Sequence, residues 1–297
     1  MRSLVWKLLS VLLLLLPAAC QSSTNPAQNS QPLVFVKNEG SDTIVNLALA
    51  WAEMYQNVEP GVSISVTGGG SGTGLNALIS GSIDLANASR KIKAEEIETA
   101  KKNGITPVET IIARDAIAVI INPANPVEKL TLEQISQIYK GEINNWAEVG
   151  GENWPIVRLS RETNSGTHVY FLESVIRLGS KEDKSIFSAS TLLLPSSEGI
   201  IAEVRDNPNA IGYDGLGYVT DEVKVVAVGH EGEGTYYAPS VETVNDGKYA
   251  ISRDLYMYSR IDAPAAVRDY LTWIISPAAQ KIVQELGFVP VVPEHNP

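Results

Sequence analysis

The chain has 297 residues, 44% of them apolar and 19% charged, which excludes a disordered protein and leaves room for two domains. Lys and Arg total 23 against 34 Asp and Glu, a net charge of −11. That excludes a general nucleic-acid binder but not a receptor for one small anion, because a local cluster of donors overrides the global sign. One Cys excludes a disulfide framework or a cysteine-based metal centre, and three His speak against a histidine-rich one, so no metal and no cofactor are expected.

The first elements in chain order belong to targeting. Arg2 and Lys7 give a positive start, and residues 8–16 form an apolar run broken only by Ser10, too short to span a bilayer. Pro17, Ala18, Ala19 and the lone Cys20 follow. Basic, apolar and small residues in that order make a secretory signal. With Cys20 at the cleavage point, the segment resembles a bacterial lipoprotein signal, whose processing leaves a lipid-modified Cys as the first residue. Pro17 stands where such signals usually carry Leu, and a plain secretory signal with an incidental Cys is the alternative. Residues 1–19 are thus read as the signal and residues 20–32, rich in Ser, Asn, Gln and Pro, as a flexible tether. Removing Arg2 and Lys7 leaves 21 basic residues against 34 acidic ones, or −13.

Beyond the tether, β-branched runs alternate with helical patterns. Strand 33–36 precedes helix 43–55, strand 62–66 precedes helix 72–80, and strand 83–86 precedes helix 94–103. Two strands, 108–112 and 117–121, lead to helix 132–139, and strand 156–159 leads to helix 167–176. Helix 198–206, strand 223–228, strand 255–258 and a helical stretch over 264–286, restarted at Pro277, complete the chain. The alternation predicts an α/β protein with mostly parallel sheets, and such sheets bind ligands where strands end and helices begin.

Three of those turns carry anion-binding chemistry. The first holds Gly40, Ser41, Asp42 and Thr43: two hydroxyls beside the unpaired N–H groups of a helix start. The second holds Gly68, Gly69, Gly70, Ser71, Gly72, Thr73 and Gly74, in which five glycines let successive N–H groups converge as an anion-binding nest. It has neither the Gly-Lys-Ser/Thr of a P-loop nor the spacing of a dinucleotide loop. The third runs from Arg161 to Ser165, Gly166 and Thr167, where a planar guanidinium joins two hydroxyls at a helix start. Each turn alone is equally compatible with a helix cap or a flexible bend. Together they suggest a tetrahedral oxyanion held mainly by neutral dipoles.

These turns, with the stretches 84–90, 130–146, 210–218 and 276–290, resemble the periplasmic phosphate-binding proteins of bacterial phosphate ABC importers, in the shorter branch of that family. The resemblance covers essentially the whole mature chain. It implies a two-lobed periplasmic-binding-protein fold of type II, with the ligand in the cleft between lobes. Lobe I is expected over 33–113 plus about 227–297, and lobe II over about 114–226. It implies phosphate contacts from Ser41, Asp42, Thr43, Ser71, Arg90, Arg161, Ser165, Gly166 and Thr167, and no catalytic residue. At the place of Arg90, the best-known members carry an Asp that accepts the phosphate proton. Arg90 would neutralise the ligand instead, and Asp42 is the nearest substitute acceptor. Such a carboxylate would repel fully ionised sulfate. The expected partners are inorganic phosphate, the membrane permease and a lipid anchor facing the periplasm or cell exterior, with no nucleic acid and a monomeric chain. The rival readings are a receptor for sulfate, tungstate or molybdate, a phosphate-sensing or adhesive protein, and a secreted serine hydrolase using Ser165 and His168.

Overall fold

The computed structural model describes residues 33–291; the signal, Cys20 and the tether lie outside them. In chain order come β1 (Val34–Gly40), α1 (Asp42–Val58), β2 (Val62–Thr67), α2 (Ser71–Ile79), β3 (Leu85–Ala88), α3 (Ala94–Lys102) and β4 (Pro107–Ile121). Next are β5 (Lys129–Thr131), α4 (Leu132–Lys140), β6 (Val157–Arg161), α5 (Gly166–Phe171), β7 (Leu192–Leu194), α6 (Ser197–Asp206) and β8 (Ala210–Gly215). The chain ends with β9 (Lys224–Val225), β10 (Ala227–Gly229), β11 (Tyr236–Tyr237), α7 (Val241–Asn245), β12 (Ser252–Arg260), α8 (Ala265–Ile274) and α9 (Pro277–Glu285).

Helix α1 forms because Ile44, Leu47, Ala48, Trp51 and Tyr55 recur at three- and four-residue spacing and bury one face. Pro277 restarts the last helix at its first turn, with Ser276 as its cap. The two strands anticipated on either side of Ala113–Ala116 are one strand of 15 residues. Asp115 interrupts the apolar run without breaking the strand, because Arg253 of β12 stands directly opposite and pairs with it.

The main sheet has the order β2-β1-β3-β12-β4-β8-β6-β7, with β9 also on β4. It is mixed, where a mostly parallel sheet was anticipated. Strands β2, β1 and β3 run parallel on one side, and β8, β6 and β7 run parallel on the other. Between them β12 and β4 are antiparallel to each other and to their neighbours. The reason is connectivity: these two strands carry the chain between the two halves in opposite directions.

Two main cores flank this seam. Val36, Ile44, Trp51, Leu255, Tyr270 and Val283 belong to one; Ile117, Ile135, Tyr139, Trp146, Phe171 and Tyr213 belong to the other. The second core also takes Val226, Val228, Val244, Tyr249 and Ile251. Residues 226–251 therefore pack with this second core. Strand β10 is drawn there by parallel pairing with β5. Among the described residues, no helix is long and apolar enough to cross a membrane.

Candidate functional site

All three turns singled out in the sequence are strand-to-helix turns, and the structure brings them together. Ser41 ends the β1–α1 turn, and its hydroxyl donates to Ser89 Oγ at 3.0 Å rather than capping its own helix. Gly40 holds a φ of +142°, and a side chain there would overlap the Asn87 backbone, so only glycine lets β1 turn this close to β3. Ser71 begins α2; its Oγ accepts from the Ser89 N–H at 3.0 Å and lies 3.2 Å from Ser89 Oγ. Ser165 caps α5 by accepting from the Thr167 N–H at 3.2 Å. Thr167 Oγ1 lies 2.9 Å from Thr43 Oγ1. A methyl group on Gly166 would overlap both Ser71 Oγ and Ser89 Oγ, which shows how tightly the turns meet.

The glycine nest is built, but its donors face protein acceptors. The Gly69 N–H donates to Asp42 Oδ1 at 2.9 Å, the Gly70 N–H to Gly40 O at 2.9 Å and the Gly72 N–H to Asn164 O at 3.0 Å. Part of the nest therefore holds the protein's own carboxylate and ties the α2 turn to the α5 turn.

Arg161 ends β6 with only 1% of its surface exposed. One terminal nitrogen donates to Asp42 Oδ2 at 2.7 Å and to Pro195 O at 2.8 Å. The other donates to Ser197 Oγ at 2.8 Å and lies 3.7 Å from Asp214 Oδ2. Its Nε finds no hydrogen-bond partner among the described residues. Arg90 goes elsewhere. Its two terminal nitrogens grip Glu96 at 2.8 and 2.7 Å, because Glu96 lies in the first turn of α3, beside it. The structure does not bring Arg90 to the hydroxyl cluster.

A different arginine is there instead. Arg253 of β12 donates to Thr167 Oγ1 at 2.9 Å, to Ser89 O at 3.0 Å and to Asp115 Oδ2 at 2.9 Å. The cluster thus holds two guanidiniums and three carboxylates, those of Asp42, Asp115 and Asp214. Burial pushes the Asp115 carboxyl up to about 6, against the opposing pull of Arg253. Burial also raises Asp214, which Arg161 opposes. Ser89, Ser197, Arg253, Asp115 and Asp214 escaped the sequence reading. The available signal was Asp115, a charged residue inside an apolar strand, which requires a buried partner.

His168 does not pair with Ser165. Its Nδ1 lies 3.0 Å from Ser160 Oγ, which in turn lies 2.6 Å from the Tyr213 hydroxyl, and its ring stacks on Phe187. With the imidazole turned to Ser160 and Ser165 acting as a helix cap, the hydrolase arrangement is absent.

Helix starts turned from two α/β halves onto one buried polar cluster are the architecture of a solute-binding protein. The PBP superfamily domain matches residues 21–278. The phosphate-binding protein PstS of Pseudomonas aeruginosa is 31% identical over 270 residues, covering 85% of this chain and 81% of that protein. A Clostridium perfringens protein solved with bound phosphate, and described as a phosphate ABC transporter substrate-binding protein, has a TM-score of 0.77 at 34% identity. That match covers 87% of this chain and all of the other. An ABC-type phosphate transport receptor from Vibrio cholerae gives 0.69 at 28% identity, over 86% of this chain and all of its own. The chain belongs to the PBP superfamily and, within it, to the phosphate-binding proteins of phosphate ABC transporters.

Proposed function

We propose that the protein is an extracytoplasmic, non-enzymatic receptor that binds inorganic phosphate between two lobes and delivers it to an ABC permease. One observation carries this reading: the hydroxyls of Ser41, Thr43, Ser71, Ser89, Ser165 and Thr167 are all buried and converge from separate elements next to two buried arginines. Buried hydroxyls and guanidiniums suit a small, multiply accepting oxyanion. Charge-assisted hydrogen bonds contribute about 1.5–3 kcal/mol each, so a handful exceeds the roughly 8 kcal/mol of a micromolar site. The long-range negative field is screened beyond about 8–10 Å at physiological salt and does not prevent capture.

In this reading the ligand contacts are Ser41, Thr43, Ser71, Ser89, Arg161, Ser165, Gly166 and Thr167, with Asp42 at their edge as the group that meets the ligand's proton. Lobe I comprises 33–113 and about 252–291, and lobe II about 114–251, a division supported by the grouping of most core residues, Val289 excepted. The monomeric chain is tethered by a lipid on Cys20. Calorimetry on the mature domain tests the function: phosphate should bind with micromolar or tighter affinity and sulfate far more weakly. Tighter binding of sulfate, molybdate or tungstate would overturn it. For the anchor, Cys20→Ala should abolish partition into detergent; native protein with an unmodified Cys20 would refute it.

A further inference from the structure

Arg253 belongs to none of the three turns, yet it lies where they meet. It sits on β12, directly opposite Asp115 of β4, at the seam where the chain passes between the two halves. Its Nη2 donates to Thr167 Oγ1 at 2.9 Å and lies 3.4 Å from Thr43 Oγ1, so one nitrogen reaches ligand-binding turns from both halves. Asp115 Oδ2 accepts from Nη2 at 2.9 Å and from Nε at 3.3 Å, which fixes the plane of the guanidinium. The Asp115 side chain is fully buried and that of Arg253 is 3% exposed.

The charge balance says why a second cation is needed. Arg161 is in contact with two carboxylates, Asp42 and Asp214, whereas Arg253 meets only one, Asp115, so Arg161 carries the greater excess of negative charge around it. A dianion placed against Arg161 alone would face local negative charge in a poorly screened setting. Arg90, the other candidate, is turned onto Glu96. The groups facing Arg253 are Asp115 of β4, Thr43 of α1, Ser89 after β3, and Thr167 and Tyr170 of α5.

We infer that Arg253 is a direct ligand of the bound phosphate, presented by Asp115, and supplies the neutralisation that the position of Arg90 does not. The inference rests on the phosphate-binding reading.

The test is calorimetric titration of phosphate into the parent protein, Arg253→Gln, Arg253→Lys and Arg90→Gln, on both sides of phosphate's second ionisation. Where the dianion dominates, Arg253→Gln should weaken binding at least about thirtyfold. Where the monoanion dominates, the loss should be distinctly smaller, because a contacting cation reads ligand charge, and the difference should persist in an Asp115→Asn background, where no carboxyl beside Arg253 titrates in that range. Arg253→Lys should recover part of the loss, and Arg90→Gln should stay within about twofold of the parent. A role confined to holding Thr167 in place would lower affinity by the same factor for both ligand charges. That result, an unchanged Arg253→Gln affinity, or an equal loss from Arg90→Gln overturns the inference. If Arg253→Gln does not fold by circular dichroism, Arg253→Lys decides. It should bind about tenfold more weakly than the parent, and unchanged affinity overturns the inference. A parent protein that does not bind phosphate refutes the functional reading instead.

Discussion

Arg161 meets two carboxylates, a serine hydroxyl and a backbone carbonyl, so shortening it has two effects. Arg161→Ala should weaken phosphate binding by at least about 2 kcal/mol, roughly thirtyfold, in calorimetry. It should also lower the melting temperature, because Asp214 is fully buried and loses its compensating charge. Asp42 gives one oxygen to Arg161 and the other to the Gly69 N–H. Asp42→Asn keeps that shape and removes the charge, so the sulfate-to-phosphate affinity ratio should rise; a constant ratio would make Asp42 only a partner of Arg161. Arg161, Ser165 and Thr167 stand out in the sequence because they share one short turn. Arg253 and Asp115 do not, because they lie 138 residues apart and meet only through strand register. A lone sequence cannot supply that register.

At the level of elements, helix starts were the most legible feature. The starts expected near 43, 72 and 167 fall at Asp42, Ser71 and Gly166. Their glycine and hydroxyl chemistry is local, so it shows in a short window. Strand β8 was missed because its sequence, Ala-Ile-Gly-Tyr-Asp-Gly, has no alternation: all six residues are buried. A side chain on its Gly212 would come 2.9 Å from Ile200 and Val204, so that glycine serves the packing of α6 on the sheet. The approach of α5 to α2 rests on Gly166 in a similar way. Gly166→Ala should weaken phosphate affinity by at least about tenfold and also lower the melting temperature, since the added methyl would overlap the buried Ser71 and Ser89 hydroxyls. Unchanged affinity in calorimetry would mean that the turns do not close on the ligand this tightly.

For the whole molecule, the α/β class was legible, but the mixed sheet and the pairing of β10 with β5 were not. Residues 226–251 form two very short strands and one short helix, and β10 pairs with β5, about a hundred residues earlier. Nothing local in that segment announces so distant a partner. The buried seam also gives the fold a pH signature. The Asp115 carboxyl is pushed up to about 6, with burial as the largest cause, so the folded state favours its protonated form. The folded state therefore binds more protons than the unfolded one between about pH 4 and about pH 6, and this group's contribution to stability falls as pH rises through that window. The effect is on the order of 3 kcal/mol. Comparing melting temperatures at the two ends of the window, Asp115→Asn should be less favoured by acid than the parent. An identical pH dependence would place the titration on other carboxyls.

The seam has one more consequence. In the β4–β12 register, Ala116 stands opposite Ser252, so everything between them leaves and rejoins the rest of the protein at neighbouring positions. The segment 117–251 is thus topologically a cassette, spliced into the rest of the chain between two touching points. Ser41, Thr43, Ser71 and Ser89 stay with the host, whereas Arg161, Ser165 and Thr167 travel with the cassette. Exchanging the segment between two such receptors would, on the proposed function, transplant half of the phosphate contacts through two junctions that lie side by side.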